Sequence, residues 1–187
     1  MGDKMDVLLS RRSIGRVRPD PIPRAVVEEL LVAATHAPNH YLTAPWRFVV
    51  LMGASRRAVG EAHAAAVRRE RPDAGPDVIA RESARLERAP VVVVCIVQTD
   101  PDDVVRARED RDAVAAAIQN LLLAAHIRGL AGMWRTGAMV DEPEVAVALG
   151  LGPHDAIVAF VYLGREAVAP PQHDRPSLEA VVDWREP

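Results

Sequence analysis

A long, mostly apolar stretch in the middle of the chain constrains the fold more than any other feature. It begins with a strongly charged segment at 104–112 and is almost wholly apolar from 113 to 130. Ala and Leu dominate the stretch and no Pro interrupts it, so it predicts one helix that starts near Pro101 and ends near Gly129. A helix that is apolar around most of its circumference must be buried. We therefore expect it inside a large core or between two copies of the chain.

The composition is that of an ordinary globular protein. The 187 residues favour one domain, and 49% of them are hydrophobic and 26% charged. A net charge of −3 gives no reason to expect nucleic acid or an anionic membrane as partner. No apolar run approaches the ~20 residues of a membrane span, and no signal peptide is recognisable, so we expect a cytoplasmic protein. The sole cysteine, Cys95, lies in an apolar run and is expected to be buried and unreactive.

Strands and helices alternate along the chain. Apolar runs predict strands over 47–52, 89–97, 131–135 and 156–163, and the second of these should be buried on both faces. Helices are predicted over 5–12, 25–36, 55–70, 77–88 and 142–149, and the one over 77–88 is expected to be lid-like or solvated. The alternation favours a mixed α/β or an α+β fold. The Pro-containing segment 168–187 is expected to be an extended arm that wraps over something.

Three polar segments are candidates for binding a ligand. The first holds Arg11, Arg12 and Ser13 and continues to Arg16 and Arg18. Guanidinium groups at this density can bind a phosphate through paired hydrogen bonds, although a solvated basic terminus has the same composition.

The second and third segments are a loop and the sequence that follows the apolar stretch. Residues 36–46 form a Pro-punctuated loop with two His, one Asn and two aromatic side chains, which either line a site or cap turns. Residues 133–137 are short and polar beside a buried element, where a ligand could lie. His63, outside these segments, is expected to be a surface or packing histidine.

The usual signatures of self-sufficient catalysis are missing from the sequence. There is no Gly-x-Gly-x-x-Gly after a strand, no P-loop and no Gly-x-Ser-x-Gly. The histidines lack metal-ligand spacing, and Pro38 separates His36 from His40, so we expect no metal site. These observations favour a bound cofactor that carries the chemistry while the protein supplies the geometry.

Three segments together resemble the flavin-dependent nitroreductase family, and in particular its short branch of NAD(P)H nitroreductases. They are Arg11-Arg12-Ser13, the Ala37-Pro38…Pro45-Trp46-Arg47-Phe48 segment, and Gln119-Asn120-Leu-Leu-Leu-Ala-Ala…Gly129-Leu130…Trp134-Arg135-Thr136-Gly137. The strand that ends at Gly164 fits as well, so the resemblance runs from about residue 5 to residue 185.

The resemblance implies a fold, an activity and an assembly. The fold would be α+β, a central and mostly antiparallel sheet flanked by helices, formed by a single domain over 1–187 with its C-terminal arm. The protein would be a homodimer that binds FMN between its subunits, with the long central helix at the dimer interface. It would take hydride from NAD(P)H and reduce nitroaromatic, quinone or similar small acceptors by a ping-pong mechanism.

The resemblance also implies roles for individual residues. Arg11, Arg12 and Ser13 match the FMN motif, with the arginines suited to the phosphate, and Arg175 resembles a second phosphate ligand. His36, Asn39 and His40 would contact the flavin from one subunit. Trp134, Arg135 and Thr136 match the segment at the flavin ring, and Gly137 would allow close backbone approach. Arg135 would stabilise the negative charge of the reduced ring, and no protein side chain would be needed as catalytic acid or base.

The loop departs from the common family pattern Ala-Pro-Ser-x-x-Asn-x-Gln-Pro-Trp. Asn39 replaces Ser, Leu42 replaces Asn and Ala44 replaces Gln, so the polar contacts to flavin or substrate are altered. Other interpretations are a flavin carrier or sensor without turnover, a purely structural dimer, and a dehalogenating or flavin-fragmenting relative.

Overall fold

A five-stranded antiparallel sheet forms the centre of the fold. The computed structural model describes residues 4–170 and 174–186. The strands are β1 (Val17–Arg18), β2 (Trp46–Met52), β3 (Val91–Gln98), β4 (Ala131–Arg135) and β5 (Asp155–Glu166). The sheet order is β1-β5-β3-β2, and β4 pairs with β5 as well. The α+β class and the antiparallel sheet are therefore confirmed.

Six helices surround the sheet. They are α1 (Lys4–Ser10), α2 (Arg24–Thr35), α3 (Ser55–Glu70), α4 (Pro76–Ser83), α5 (Val104–Ile127) and α6 (Pro143–Ala148). Helices α2 and α5 cover one face of the sheet, and α3 and α6 pack on the other face with Leu86 and Met139 between them. Strand β3 lies between the two cores, and its residues 91–97 are buried on both faces, as predicted.

The central helix α5 is closed at both ends by local hydrogen bonds. The side chain of Asp103 accepts a hydrogen bond from the amide of Arg106 and so caps the first turn. At the other end Gly129 has a φ of +67°, and the amide of Leu130 donates to the carbonyl of Ala125. The predicted helix and its stop are thus confirmed, although α5 begins at Val104 rather than at Pro101.

The burial of α5 is one-sided within a single chain. Its inward face, from Ala113 to Ala125, packs into the core against α2 and the sheet. The opposite face runs from half-buried Ala115 through exposed Gln119 and half-buried Leu123 to Ile127, which is 66% exposed. The prediction that this helix is covered all round needs a second copy of the chain, and its place at a dimer interface stays a prediction.

The structure corrects two predictions about secondary structure. The two-residue strand β1 was not predicted, because a segment this short and basic has no apolar alternation. The predicted helix over 77–88 is interrupted at Ala84 and continues as a 3₁₀ turn, Arg85–Arg88. The solvated interpretation of this segment is wrong, because it packs on α3 with Leu86 fully buried, and a Cβ on Gly60 would lie 2.0 Å from the carbonyl oxygen of Ser83.

The described parts of the predicted arm are 168–170 and 174–186, and the second of these is exposed along its whole length. Leu178, Val181 and Trp184 are 70%, 64% and 74% exposed, which is unusual for large apolar side chains on one short segment. Residues 171–173 and 187 of the predicted arm lie outside the described residues. Among the helices that the structure describes, none is both long enough and apolar enough to cross a bilayer.

Candidate functional site

A cleft opens where strand β4 passes the segment that follows α1. The amide of Ile14 donates a hydrogen bond to the carbonyl of Gly132 at 3.1 Å, which fixes residues 13–17 beside β4. The cleft has a volume of about 780 Å³ and also touches residues 168–170. Its charged lining consists of Arg16, Arg88 and Arg135, and no acidic side chain lines it in the described part of the chain.

Arg135 is held against the wall of this cleft by close packing. A Cβ on Gly15 would lie 3.1 Å from Arg135 Nη2 and 2.7 Å from Met133 Sδ, so a glycine at position 15 lets both side chains approach the backbone. The guanidinium carbon of Arg135 lies 5.3 Å from the ring centroid of Tyr162, in a cation–π contact. Its Nε atom is buried and has no hydrogen-bond partner among the described residues.

A second group of arginines lies beside the cleft. Arg11 Nη1 is buried without a partner in the described residues, and Arg11 forms no ion pair with an acid there. Burial lowers the pKa of Arg11, and the neighbouring positive charges of Arg175 and Arg12 lower it further. Arg12 donates to the carbonyl of Leu9 at 2.7 Å, which orients it. Three like charges gathered without an acid can bind a phosphate dianion.

The structure brings some of the predicted site residues together and separates others. Ser13 and Arg135 line the cleft, and Thr136 and Gly137 follow β4 as exposed residues, with Gly137 at a φ of +110°. Trp134 does not line the cleft, because alternation along β4 turns it to the opposite face, where it packs on the α2 and α5 core.

His36, Asn39 and His40 do not line the cleft, and His40 lies far from it along α5 within one chain. His40 Nδ1 contacts Glu109 Oε2 at 2.8 Å near the start of α5. Ser10, next to the arginine group, contacts His126 near the end of α5 at 2.9 Å. These two anchor points are separated by 17 residues of helix, about 25 Å at the α-helical rise. A single chain therefore does not place the loop at the cleft.

The loop itself has an unusual backbone. Tyr41, Leu42 and Ala44 have φ values of 56°, 54° and 46°, in the left-handed region that non-glycine residues rarely adopt. Asn39 Oδ1 accepts a hydrogen bond from the amide of Ala44 at 2.9 Å and closes the loop. Tyr41 and Leu42 are 76% and 88% exposed, so the loop presents its apolar side chains outward.

Comparison with known proteins shows which family the chain belongs to. A family model described as "Nitroreductase family" matches residues 8–165. The chain belongs to the nitroreductase family. Its predicted class, an oxidoreductase of nitroreductase type, is confirmed by that match and by its relatives.

One sequence relative and two solved structures illustrate the match. YfhC of Bacillus subtilis, named as a candidate NAD(P)H nitroreductase, is 32% identical over 167 residues, covering 88% of this chain and 85% of the relative. The nitroreductase-like family protein from Bacillus cereus has a TM-score of 0.87 at 27% identity, covering 100% of this chain and 97% of that one. A candidate nitroreductase from Desulfovibrio desulfuricans, solved in complex with FMN, shares the fold with a TM-score of 0.76 at 24% identity, covering 100% of both chains.

A buried polar cluster behind the nitroreductase cleft was not predicted. His63, Glu82 and Glu142 are 4%, 7% and 4% exposed and are hydrogen-bonded to one another. His63 is thus a packing histidine with two buried acidic partners. No sequence pattern predicts this cluster, because its members come from three separate segments and share no motif spacing.

Two further expectations concern Cys95 and metals. Cys95 is fully buried on β3, which confirms the predicted burial, and burial raises the pKa of its thiol, which disfavours the reactive thiolate. Within residues 4–170 and 174–186, no three His, Cys, Asp or Glu side chains are arranged to bind a metal ion.

Proposed function

We propose that this member of the nitroreductase family is a cytoplasmic, homodimeric FMN oxidoreductase. It takes hydride from NADH or NADPH and then reduces a small acceptor, such as a nitroaromatic compound or a quinone, in a ping-pong cycle. FMN, when bound, supplies the ring that accepts and returns the hydride. The chain supplies the charge, the close backbone approach and the shape that hold it.

The observation that carries this proposal is the pair of buried, unpartnered guanidinium atoms, Arg11 Nη1 and Arg135 Nε. A buried donor without an acceptor costs about 1–3 kcal/mol, so two of them beside one cleft indicate an anionic ligand that accepts their hydrogen bonds. A flavin mononucleotide fits both positions, because it carries a phosphate at one end and an electron-rich ring at the other.

The phosphate is assigned to the group formed by Arg11, Arg12 and Arg175. Burial and mutual repulsion lower the pKa of Arg11, and a bound dianion would offset that repulsion directly. The hydroxyl of Ser13 lies at the same end of the cleft and can donate one more hydrogen bond.

The ring is assigned to the part of the cleft beside Arg135. The cation of Arg135 stabilises negative charge on the ring, in surroundings where its stacking on Tyr162 fixes its position. Gly137, with its positive φ and no side chain, leaves the backbone after β4 open to close approach.

The dimer is required because one chain lacks part of the wall of its own site. His40 contacts α5 about 25 Å along the helix from the point where Ser10, next to the arginine group, contacts it, so a second copy would have to bring this part of the loop to the flavin. The exposed face of α5 and the apolar side chains of the arm, Leu178, Val181 and Trp184, offer the surface that such a copy would cover.

The spectrum of the purified protein tests this function. We expect a yellow protein whose visible absorbance bleaches when NADH or NADPH is added without oxygen and returns when a quinone or nitroaromatic acceptor follows. A flavin that is bound but never bleaches would indicate a carrier or sensor instead. A colourless protein that does not bind added FMN would overturn the proposal.

The assembly has its own test in sedimentation. We expect a dimer for the natural chain and weaker association for Ile127→Asp, because Ile127 is the exposed apolar residue at the end of α5. Leu122→Glu would not test the interface, since Leu122 is 5% exposed within one chain and its replacement would bury a charge in the core. A natural chain that sediments as a monomer would contradict the shared site.

A further inference from the structure

His63 joins two buried carboxylates from different parts of the chain. Its Nδ1 lies 2.6 Å from Glu142 Oε2, and its Nε2 lies 3.3 Å from Glu82 Oε2. His63 belongs to α3, Glu82 to α4, and Glu142 immediately precedes α6. The three side chains therefore tie together elements that are adjacent in space but distant in sequence.

The geometry of this cluster requires a shared proton. An ionised carboxylate only accepts hydrogen bonds. Each of the two ring nitrogens faces a carboxyl group, so in each contact either the nitrogen or the carboxyl group must carry a proton. A neutral imidazole has one N–H and can satisfy only one of the two acids. Two contacts need two protons, and a neutral histidine with two ionised carboxylates has only one, so the cluster holds one additional proton.

The other charges around the cluster favour an ionised Glu82. Burial alone would raise the pKa of Glu82, but hydrogen bonds and charge from Arg85 and Arg81, with the contact to His63, lower it below the usual range. On the other side, the hydrogen bonds of Arg69 go to Glu144, and the charge of Glu142 is only a minor influence on Arg69.

The remaining neighbours of the cluster are Arg135 and Tyr162. The hydroxyl of Tyr162 donates to the carbonyl of Arg85 at 3.3 Å, and Arg135 stacks on the Tyr162 ring. The arginines therefore favour the ionised form of Glu82, and the shared proton lies in the contact between His63 and Glu142, whose Oε1 is buried without a partner in the described residues.

The cluster is also next to the candidate site. A cavity of about 80 Å³ has His63 and Arg85 on one side and Arg135, Thr136 and Gly137 on the other. Glu142 closes the segment 136–142 that leads from β4 to α6, and inside this segment the amide of Val140 donates to Gly137 and that of Asp141 to Ala138. Whatever holds Glu142 therefore holds the segment that carries Thr136 and Gly137.

We propose that His63 is a positioning residue, which through the shared proton ties Glu142, and with it the 136–142 segment, to α3 and α4. Removal of that proton releases Glu142, since two carboxylates then compete for one N–H. The consequence for flavin binding rests on the proposed function, but the tie itself is a property of the protein without cofactor.

Amide hydrogen exchange in the protein freed of any bound flavin tests the tie. In His63→Gln, which can donate through only one group, we expect exchange at Val140 and Asp141 to rise at least tenfold, with no change in β3. The matched control is Arg69→Gln, which removes an exposed ion pair with Glu144 at 2.8 Å in the same contact between α3 and α6. We expect less than a twofold change for that variant. Equal exchange in His63→Gln and the natural chain would overturn the proposal.

A second variant tests whether the segment is held by the shared proton or only by the packing of the side chains. Glu142→Gln keeps the size of the side chain and brings an amide N–H that can donate to Nδ1 of a neutral His63, whose Nε2–H then donates to Glu82, so the cluster no longer needs the extra proton. In the natural chain, exchange at 137–142 should rise with pH more steeply than hydroxide catalysis alone predicts. That excess should disappear in Glu142→Gln, while protection at neutral pH stays within about threefold of the natural chain. A persistent excess would show that the proton has no part in the tie.

If the flavin does bind, a third measurement connects the cluster to the site. We expect His63→Gln to raise the FMN dissociation constant about fivefold, and Arg69→Gln to leave it unchanged. If the natural chain binds no FMN, the proposed function is wrong. The proposal about His63 is unaffected by that result, because the exchange experiments need no flavin. Altered exchange with unaltered FMN affinity would overturn the link to the site.

Discussion

Two parts of strand β5 lie in contrasting electrostatic surroundings. At its start, Asp155 Oδ2 contacts Arg47 Nη1 at 2.6 Å and accepts from the amide of Gly152 at 2.9 Å, while Gln98 donates to Oδ1 at 2.9 Å. Further along the strand, Arg135 pairs with Phe160 and lies over the ring of Tyr162, and its Nε has no partner among the described residues. The hydrogen bonds of Asp155 are made within the described residues, whereas that of Arg135 Nε is not.

This difference predicts which of these charged side chains contribute to stability and which contribute to ligand binding. A charge whose hydrogen bonds are made inside the chain contributes to folding, and its removal lowers the free energy of unfolding. A partly buried arginine whose hydrogen bonds are not made opposes folding, and its contribution comes only when a ligand arrives. Arg47 and Arg11 therefore have the same chemistry and opposite roles, which the following substitutions can test.

The largest expected effect is that of Arg11→Ala on FMN binding. Loss of charged hydrogen bonds to the phosphate should weaken binding by about 1.5–3 kcal/mol, roughly 10- to 150-fold. The free energy of unfolding of the flavin-free protein should stay the same or rise, because a buried unpartnered donor is removed. Fluorescence titration with FMN and urea unfolding measure the two quantities.

Arg47→Ala is the matched control for that substitution. It should lower the free energy of unfolding and leave FMN affinity unchanged, since Arg47 contacts Asp155 and lies outside the cleft. If both variants lost stability and neither lost FMN affinity, the distinction between the two parts of β5 would be wrong.

Asp155→Asn should have the next largest effect, about 1–2 kcal/mol on the free energy of unfolding at neutral pH. Burial alone would raise the pKa of Asp155, but hydrogen bonds from Gly152 and Gln98 and the charge of Arg47 together lower it. An acid whose pKa is lowered by folding stabilises the fold above its unfolded pKa of about 4, and this contribution disappears as the pH falls through its folded pKa.

The pH dependence gives that prediction a second measurement. Urea unfolding at a series of pH values should show a difference between the natural chain and Asp155→Asn that is constant above about pH 5 and shrinks at acid pH. A difference that did not change with pH would mean that the charge of Asp155 contributes nothing. FMN affinity at neutral pH should be the same for both proteins.

The regular elements could be predicted from the sequence because each has its own periodicity. The continuous run over β3 and the Ala- and Leu-rich pattern of α5 depend on local composition, which is why both predictions hold. The break at Ala84 could not be predicted, because it depends on the backbone contact between Gly60 and Ser83, a feature of the packed helices alone.

The site was predicted only as far as its motifs reach. Arg11, Ser13 and Arg135 belong to segments with a recognisable pattern, and the structure places them at or beside the cleft. The side on which Trp134 lies depends on strand register, and the His63 cluster on contacts between three segments, so neither is visible in local sequence. The part proposed for the His40 loop in the site would need a second chain, whose placement no single sequence segment encodes.

A smaller effect is expected for Gly15→Ala. The new Cβ would lie 2.7 Å from Met133 Sδ and 3.1 Å from Arg135 Nη2, and both are ends of flexible side chains that can move. Displacing Arg135 should weaken FMN binding by about 1 kcal/mol, roughly fivefold. The control is Gly75→Ala, where nothing lies within 4 Å of the added Cβ. Equal FMN affinity in the two variants would show that the position of Arg135 does not matter to the ligand.

Arg18→Ala should have the smallest effect on stability and on FMN binding. It extends the comparison to an arginine that has an acidic partner but is exposed to water. Arg18 Nε contacts Asp20 Oδ2 at 3.1 Å, and the two side chains are 54% and 49% exposed, so water competes for both charges. Such pairs contribute about 0.2–1 kcal/mol, and Arg18 does not line the cleft, so unfolding should change little and FMN affinity not at all. If Arg18→Ala weakened FMN binding as much as Arg11→Ala, basic charge near the chain start would attract the phosphate without regard to burial. The unpartnered state of Arg11 would then carry no information about the ligand.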